Sequence, residues 1–336
     1  MCQVVYYIFK SMSTLALAVA LTGCTVGGPS TTGSSESGSK GSDTYTVGIL
    51  QLVQHPALDQ ATEGFKDVLS EEFGDNVEFD EQNAAGDTAT ANTIAASLVS
   101  EKCDLILANA TASLQAVSSA TSDIPVLGTA VTDYAAALSI KDYDATKPIG
   151  NNISGTSDGI SYSAQVELFT ELVPEAKNVG ILYCSAEPNS VVQAEEMETQ
   201  LTNAGFTVKK YTFADTNDIS SVTQTACQDS DVIYIPTDNT AASCTEAINN
   251  VASPAGVPII AAEENIASGC GIATLSISYY QLGRQTGEMA VKILKGEEKV
   301  SDMPVESQTE LTKKYVKSRC DALGIKVPDT YEAIEE

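Results

Sequence analysis

Short apolar runs alternate with longer amphipathic segments along most of this chain. Residues 47–52, 77–79, 105–107, 125–127, 179–183, 207–213, 232–235, 258–261 and 272–277 are runs too brief for a helix and flanked by polar residues. Such runs read as short strands, and those with no polar break as strands covered on both faces of a parallel sheet. Between them lie segments with helical spacing, such as Leu58, Ala61, Phe65, Val68 and Leu69 within 57–73, and Ile94 and Leu98 within about 87–100. Helices are also predicted from 114, near 161–172, and over 191–204, 219–227, 241–251 and 280–295. Strand alternating with helix predicts an α/β protein with doubly wound parallel sheets.

The pattern is written twice. Thr46-Val-Gly-Ile-Leu-Gln51 is echoed by Asn178-Val-Gly-Ile-Leu-Tyr183, Asp104-Leu-Ile-Leu by Asp231-Val-Ile-Tyr, and Ile124-Pro-Val126 by Val257-Pro-Ile259. Gly48 to Gly180, Asp104 to Asp231 and Pro125 to Pro258 are separated by 132, 127 and 133 residues. A period that long is not a solenoid; it predicts two similar lobes. The turn-rich Gly150-Asn-Asn-Ile-Ser-Gly155 is the expected crossing. Lobe 1 is therefore expected over 45–152 plus about 278–300, and lobe 2 over 153–277 plus about 301–336.

In the second copy, Pro236 ends a strand because it has no N–H to donate, and Thr237, Asp238, Asn239 and Thr240 offer cap chemistry before the next helix. Ligands of open α/β sheets bind outside the carboxyl ends of strands, where helix N-termini hold spare N–H donors. The same form recurs at 104–113.

Composition narrows the class. The chain has 336 residues, 43% hydrophobic and 19% charged, which is enough to bury two ordinary cores. With 45 acidic against 18 basic residues its net charge is −27, so nucleic acid and anionic membrane surfaces are poor partners for the folded part. Ahead of it, Lys10 and the apolar run 15–21 have the form of a secretory signal too short to span a bilayer. Residues 1–9 are apolar for the start of such a signal, which leaves the true start codon open. Leu21-Thr-Gly-Cys24 resembles the bacterial lipobox, whose cysteine receives a lipid. Residues 25–44, rich in Gly, Ser and Thr, read as a flexible tether.

Taken together, Gly48-Ile-Leu-Gln-Leu-Val-Gln-His-Pro-Ala-Leu-Asp59, Asn83-Ala-Ala-Gly-Asp87, Thr129-Ala-Val-Thr-Asp133, Glu187-Pro-Asn-Ser190, Pro236-Thr-Asp-Asn-Thr240 and Tyr279-Tyr-Gln-Leu-Gly283 resemble the aromatic amino acid (tryptophan/tyrosine-binding) branch of the bacterial ABC-transporter substrate-binding proteins. The resemblance implies two Rossmann-like lobes of the type I periplasmic-binding-protein fold, hinged and closing on one ligand. It also implies delivery of that ligand to a membrane permease driven by an ATPase partner. The lipobox at Cys24, the tether and the folded body together describe a protein, expected to be a monomer, held at the extracytoplasmic face of a membrane. A surface adhesin or ligand sensor, or a receptor for a sugar or short peptide, is the alternative that this layout leaves open.

A zwitterionic amino acid needs donors for its carboxylate and an anionic acceptor for its ammonium, because burying either charge unpaired is costly. Thr111 and Ser113 with Ala112 between them, and Asn189 with Ser190, stand at expected helix starts and suit the carboxylate. Asp238 suits the ammonium, with Glu263 or Asp133 as substitutes; plain capping by Asp238 and Asn239 is the competing role. Gln51 after the first strand and Thr129 after the fourth complete the candidate set, and Leu52, Tyr134 or Tyr183 could wall an aromatic ring.

Catalysis and cofactors find no support. Gly155-Thr-Ser-Asp-Gly159 matches the nucleophile-elbow pattern, but that chemistry needs a histidine downstream, and the single histidine, His55, lies upstream. One histidine also argues against a zinc receptor, and there is no phosphate-binding glycine loop. Beyond Cys2 and Cys24, cysteines 103, 184, 227, 244, 270 and 320 are open to oxidation in an exported protein, but they show no CxxC or zinc spacing and their spacing assigns no pairs; Cys103 and Cys184 flank buried strands as packing residues would.

Overall fold

The computed structural model describes residues 44–335, so the expected signal, lipobox and nearly all of the tether lie outside the described residues. The first lobe runs β1 (Tyr45–Gln51), α1 (Pro56–Phe73), β2 (Val77–Asn83), α2 (Thr88–Ser100), β3 (Leu105–Asn109), α3 (Thr111–Ala120), β4 (Val126–Thr129), α4 (Tyr134–Leu138) and β5 (Ile153–Ser157). The second runs α5 (Tyr162–Leu172), β6 (Asn178–Cys184), α6 (Pro188–Asn203), β7 (Thr207–Phe213), α7 (Ile219–Asp229), β8 (Val232–Ile235), α8 (Asn239–Ser243), α9 (Thr245–Ala255), β9 (Ile259–Ala261), α10 (Glu264–Cys270) and β10 (Ala273–Ser276). The chain ends with α11 (Tyr279–Leu294), β11 (Glu306–Ser307), β12 (Thr312–Tyr315), α12 (Lys317–Leu323) and β13 (Glu332–Ala333).

Two sheets result. Their strand orders are β11-β5-β4-β3-β1-β2 and β13-β12-β10-β9-β8-β6-β7. The first is parallel throughout, and the second is parallel except where β12 runs against β10. Their common part, five parallel strands in the same spatial order, is the duplication expected from the sequence. The echoed residues do the same work in each copy. Asp104 accepts from Thr46 N at 2.9 Å, and Asp231 from Lys177 N and Asn178 N at 2.9 and 2.8 Å, so each aspartate fastens the start of its sheet's first strand. Pro125 and Pro258 each lend their carbonyl to the neighbouring strand, at Ile106 N and Ile233 N.

The crossing departs from expectation. Residues 153–157 do not lead out of the first lobe; they form β5, paired with β4 on one side and β11 on the other. The chain crosses after Ser157, returns between Ser276 and Tyr279, and crosses again after Ser307. The strand Ile-Ser-Gly-Thr-Ser has no apolar run because its buried hydroxyls are matched by distant partners. Ser154 Oγ donates to Met303 O at 3.1 Å, and Thr156 Oγ1 lies 2.8 Å from Thr286 Oγ1 of α11. Helix 241–251 is also revised: it is two helices, α8 and α9, broken at Cys244, whose φ of −126° is not helical.

As expected, α11 returns to the first lobe. It lies along α1 so closely that a Cβ on Gly283 would stand 2.0 Å from Ala61 O, and one on Gly64 2.1 Å from Tyr280 O. Only glycine permits that approach. Outside the contact, Arg284 makes a two-pronged bond to Glu71 at 3.0 and 2.8 Å, and Tyr280 Oη donates to Asp67 at 2.8 Å. Among the described residues the six cysteines are free thiols; Cys103, Cys184, Cys270 and Cys320 are buried.

Candidate functional site

Parallel strands all point their carboxyl ends the same way, so the loops that follow them gather at one edge of each sheet. Here the two edges face one another. A small enclosed cavity between them is lined by His55, Ala57 and Leu58 after β1, Ala130 and Thr132 after β4, and Asp158 after β5. The second lobe adds Asn189 after β6, Thr237, Asp238, Asn239 and Ala242 after β8, Glu263 after β9, and Tyr279 after β10. Every one of these residues lies just beyond a strand's carboxyl end.

The carboxylates of the second lobe are already committed to backbone. Asp238 Oδ1 accepts from Ala241 N at 2.8 Å, capping α8, and Oδ2 accepts from Cys184 N at 2.6 Å. Burial, then the nearby Glu187 charge, pushes its pKa up to about 8, against those two N–H bonds. Glu263 caps α10 through Asn265 N and Ile266 N, both at 2.6 Å, and burial raises it to about 7. Glu187 takes four donors, from Asn239 N and Nδ2 and from Thr240 N and Oγ1, at 2.7–3.0 Å.

The first lobe offers acceptors that are not committed. Asp158 is 3% exposed and sits where the chain leaves the first sheet. Its Oδ2 accepts from Tyr279 Oη at 2.7 Å, tying the two crossings together, while Oδ1 is buried with no partner. Burial raises its pKa, opposed by the Tyr279 hydroxyl and then by the nearby Thr132 side chain, whose geometry does not make it a hydrogen-bond partner of Oδ1. His55 Nε2 reaches across the cleft to Asn239 Oδ1 at 3.3 Å, and its Nδ1 is likewise buried without a partner. Desolvation lowers the His55 pKa, keeping the ring neutral.

Of the residues expected from sequence, Asn189, Asp238, Asn239 and Glu263 line this cavity. Ala112 lines a neighbouring crevice with Val53, Glu187 and Asn239. The others are placed elsewhere. Gln51 is held within the first lobe by Asp59, Val53 O and Thr62, at 2.7–3.0 Å. Thr129 joins the Thr156–Thr286 hydroxyl cluster under the sheet, and Asp133 caps α4 through Ala136 N. Thr111 and Ser113 are buried in the first turn of α3, where Ser113 Oγ has no partner; Ser190 Oγ donates to Thr237 O. Tyr134 and Tyr183 are core residues, and Leu52 lines the neighbouring crevice.

Asp158 and Tyr279 were not singled out by sequence. The signal for Asp158 was present but disguised. It stands inside Gly155-Thr-Ser-Asp-Gly159, and once 153–157 is recognised as a strand, Asp158 is the first residue past its carboxyl end. Three residues at this edge carry unusual backbone for alanine: Ala85 at φ 52°, Ala110, the N-cap of α3, at φ 85° and Ala130 at φ 52°. Such strain gathers at binding sites.

A pair of parallel-sheet lobes closing a buried polar cavity between their strand ends defines a two-lobed solute-binding protein. The family model for ABC transporter substrate binding proteins matches residues 46–333, and the chain belongs to that family. A tyrosine-binding protein of Clostridioides difficile (strain R20291) is 36% identical over 311 residues, covering 90% of this chain and 89% of its own. A Streptococcus pneumoniae ABC domain solved in complex with L-Trp is 34% identical, with a TM-score of 0.82, covering 87% of this chain and all of its own. A ligand-free, open substrate-binding protein with adhesive properties from Clostridium difficile is 37% identical, with a TM-score of 0.67, over 87% of this chain and 99% of its own. A leucine-binding protein of Thermotoga maritima, at 16% identity and a TM-score of 0.57, shares the fold.

Proposed function

We propose that this protein captures an aromatic amino acid between its lobes and hands it to the permease and ATPase of an ABC importer, without catalysis of its own. The observation that carries this reading is Asp158 Oδ1, a buried carboxylate oxygen with no partner inside the cleft. A cationic donor is the group that such an oxygen holds best, and the ammonium of an amino acid is one. This moves the ammonium partner from Asp238, whose two oxygens are engaged by backbone, to Asp158. A carboxylate site is supported by the first turn of α3. Its N-cap Ala110 has no side-chain acceptor to cover the helix N–H groups, and Ser113 Oγ is buried beside them without a partner.

The L-Trp complex and the tyrosine-binding relative support an aromatic side chain. The lobes here also superpose better on the L-Trp complex than on the more similar open, ligand-free relative, which supports a closed arrangement. We further read the protein as a monomer attached to the outer face of the membrane by a lipid on Cys24, which the lipobox and tether favour. Adhesion is the second reading, favoured by the adhesive relative. Attachment to cells that survives loss of ligand binding would separate it from capture.

Calorimetric titration of refolded protein with tyrosine, tryptophan, phenylalanine, leucine and glucose tests the reading. An aromatic amino acid should bind and, at a hundredfold excess over its Kd, stabilise the fold by about 2.7 kcal/mol. Heat from glucose or leucine alone would discard the ligand class.

A further inference from the structure

The four donors on Glu187 fix more than Glu187. A carboxylate only accepts, so the Asn239 side chain turns its Nδ2 toward Glu187 Oε2, at 2.8 Å, and its Oδ1 toward His55. An amide oxygen only accepts in turn, so His55 Nε2, 3.3 Å away, carries the proton. In a neutral imidazole that leaves Nδ1 as a bare lone pair. This atom is buried without a partner, and the residue, 6% exposed, lines the same cavity as Asp158 Oδ1.

We propose that His55 is a ligand-recognition residue: its Nε2–H spans the cleft to Asn239, and its Nδ1 accepts a hydrogen bond from an N–H or O–H group of the captured molecule. The inference deepens the proposed function and rests on its reading of the cavity as the ligand site. Two acceptors then face the ligand from the first lobe, one anionic at Asp158 and one neutral at His55. The ligand must therefore bring at least two donors, a requirement met by an ammonium alone or by an ammonium with a phenol or indole. The orientation is imposed from the second lobe. Asn239 selects the imidazole tautomer only while the lobes are closed, so closure itself prepares the acceptor.

His55 is the single histidine of the chain, so its ring nitrogens can be read without assignment in protein freed of any affinity tag. Nitrogen NMR of imidazole-labelled protein saturated with its aromatic amino acid should show a proton on Nε2 and an unprotonated, hydrogen-bonded Nδ1. A proton on Nδ1, or an imidazolium at neutral pH, would overturn the proposal. Substitution gives the second reading. His55→Gln retains a donor in the place of Nε2 but no acceptor in the place of Nδ1. It should weaken binding roughly 10- to 100-fold, since a buried donor is left unpaired, while the melting temperature of the ligand-free protein stays near wild type. Equal losses for phenylalanine, tyrosine and tryptophan would identify the ammonium as the donor, and losses confined to tyrosine and tryptophan a ring donor. Unchanged affinity for all three overturns the proposal. Wild-type protein that binds none of them refutes the proposed function instead, and the tautomer is then decided by the spectrum of the protein bound to whichever ligand of the calorimetric panel it takes.

Discussion

The two lobes share five parallel strands in one order, yet they treat the cleft between them differently. Equivalent loops show it best. After the first strand of each copy comes an N-cap residue followed by proline, His55-Pro56 in one lobe and Glu187-Pro188 in the other. Glu187 is saturated by N–H and O–H groups of its own lobe, whereas His55 bonds across the cleft and keeps one nitrogen unused. After the third strand, Asp238 caps α8, while its counterpart Ala110 caps α3 with no side chain at all. At the cleft the carboxylates of the second lobe are satisfied within that lobe, whereas the first lobe presents acceptor atoms that no other group of the protein pairs. On the proposed function, a duplicated fold thus gives one lobe that is a finished wall and one that reads the ligand, with Asn239 passing orientation from wall to reader.

The sharpest way to break that contrast is to exchange its two buried aspartates for asparagine. Asp158→Asn should weaken amino acid binding by about 2–5 kcal/mol, because the ammonium is left without its counter-charge. Asp238→Asn should leave affinity within a few fold of wild type and lower stability instead, by about 1–3 kcal/mol. The amide oxygen can keep the cap on Ala241 N, while the NH2 leaves the buried Cys184 N–H without an acceptor. Calorimetry and chemical denaturation on both variants decide it; a larger affinity loss from Asp238→Asn would reverse the assignment of wall and reader.

The contact between α1 and α11 tests the frame beneath the reading lobe. Gly283→Ala should cost about 3 kcal/mol in stability, since the added methyl meets the Ala61 carbonyl rather than a movable side chain. Urea denaturation reads this directly, and a neutral outcome would mean that the helices separate freely.

A weaker signature is expected in pH. Asp238 and Glu263 have folded pKa values raised from 3.8 to about 8 and from 4.5 to about 7. The folded state then holds more protons than the unfolded one, so the stability of the ligand-free protein should fall as pH rises from about 4 to about 8. His55, lowered from 6.5, acts in the opposite sense, with stability lost as pH drops below that value. Melting curves for wild type, Asp238→Asn and Glu263→Gln should show the slope flattening in each variant. The smallest effect is at Ala110, whose φ of 85° glycine adopts without strain: Ala110→Gly should stabilise by about 1 kcal/mol.

The repeating strand–helix order, the duplication and the return of α11 were legible in the chain because each depends on local pattern. Four consecutive apolar residues such as 232–235 make a buried strand wherever they fall, and Gly48/Gly180 and Asp104/Asp231 keep their roles in both copies. Asn189, Asp238, Asn239 and Glu263 reached the cavity because position after a strand end is itself a local property. What each carboxylate does there was not legible. Asp238 and Asp158 follow strands in similar settings, and only the tertiary structure supplies Cys184 N to one and leaves the other an oxygen without a partner. Strand β5 escaped notice for the same reason: Ser154 and Thr156 are stable inside the sheet only because Met303, Pro304 and Thr286, about 130 or more residues away, satisfy their hydroxyls. The sequence determined the elements and their order, since propensity and burial pattern act within a few residues. The tertiary structure decided which polar groups are satisfied, since a hydrogen bond depends on a partner that the local sequence does not name.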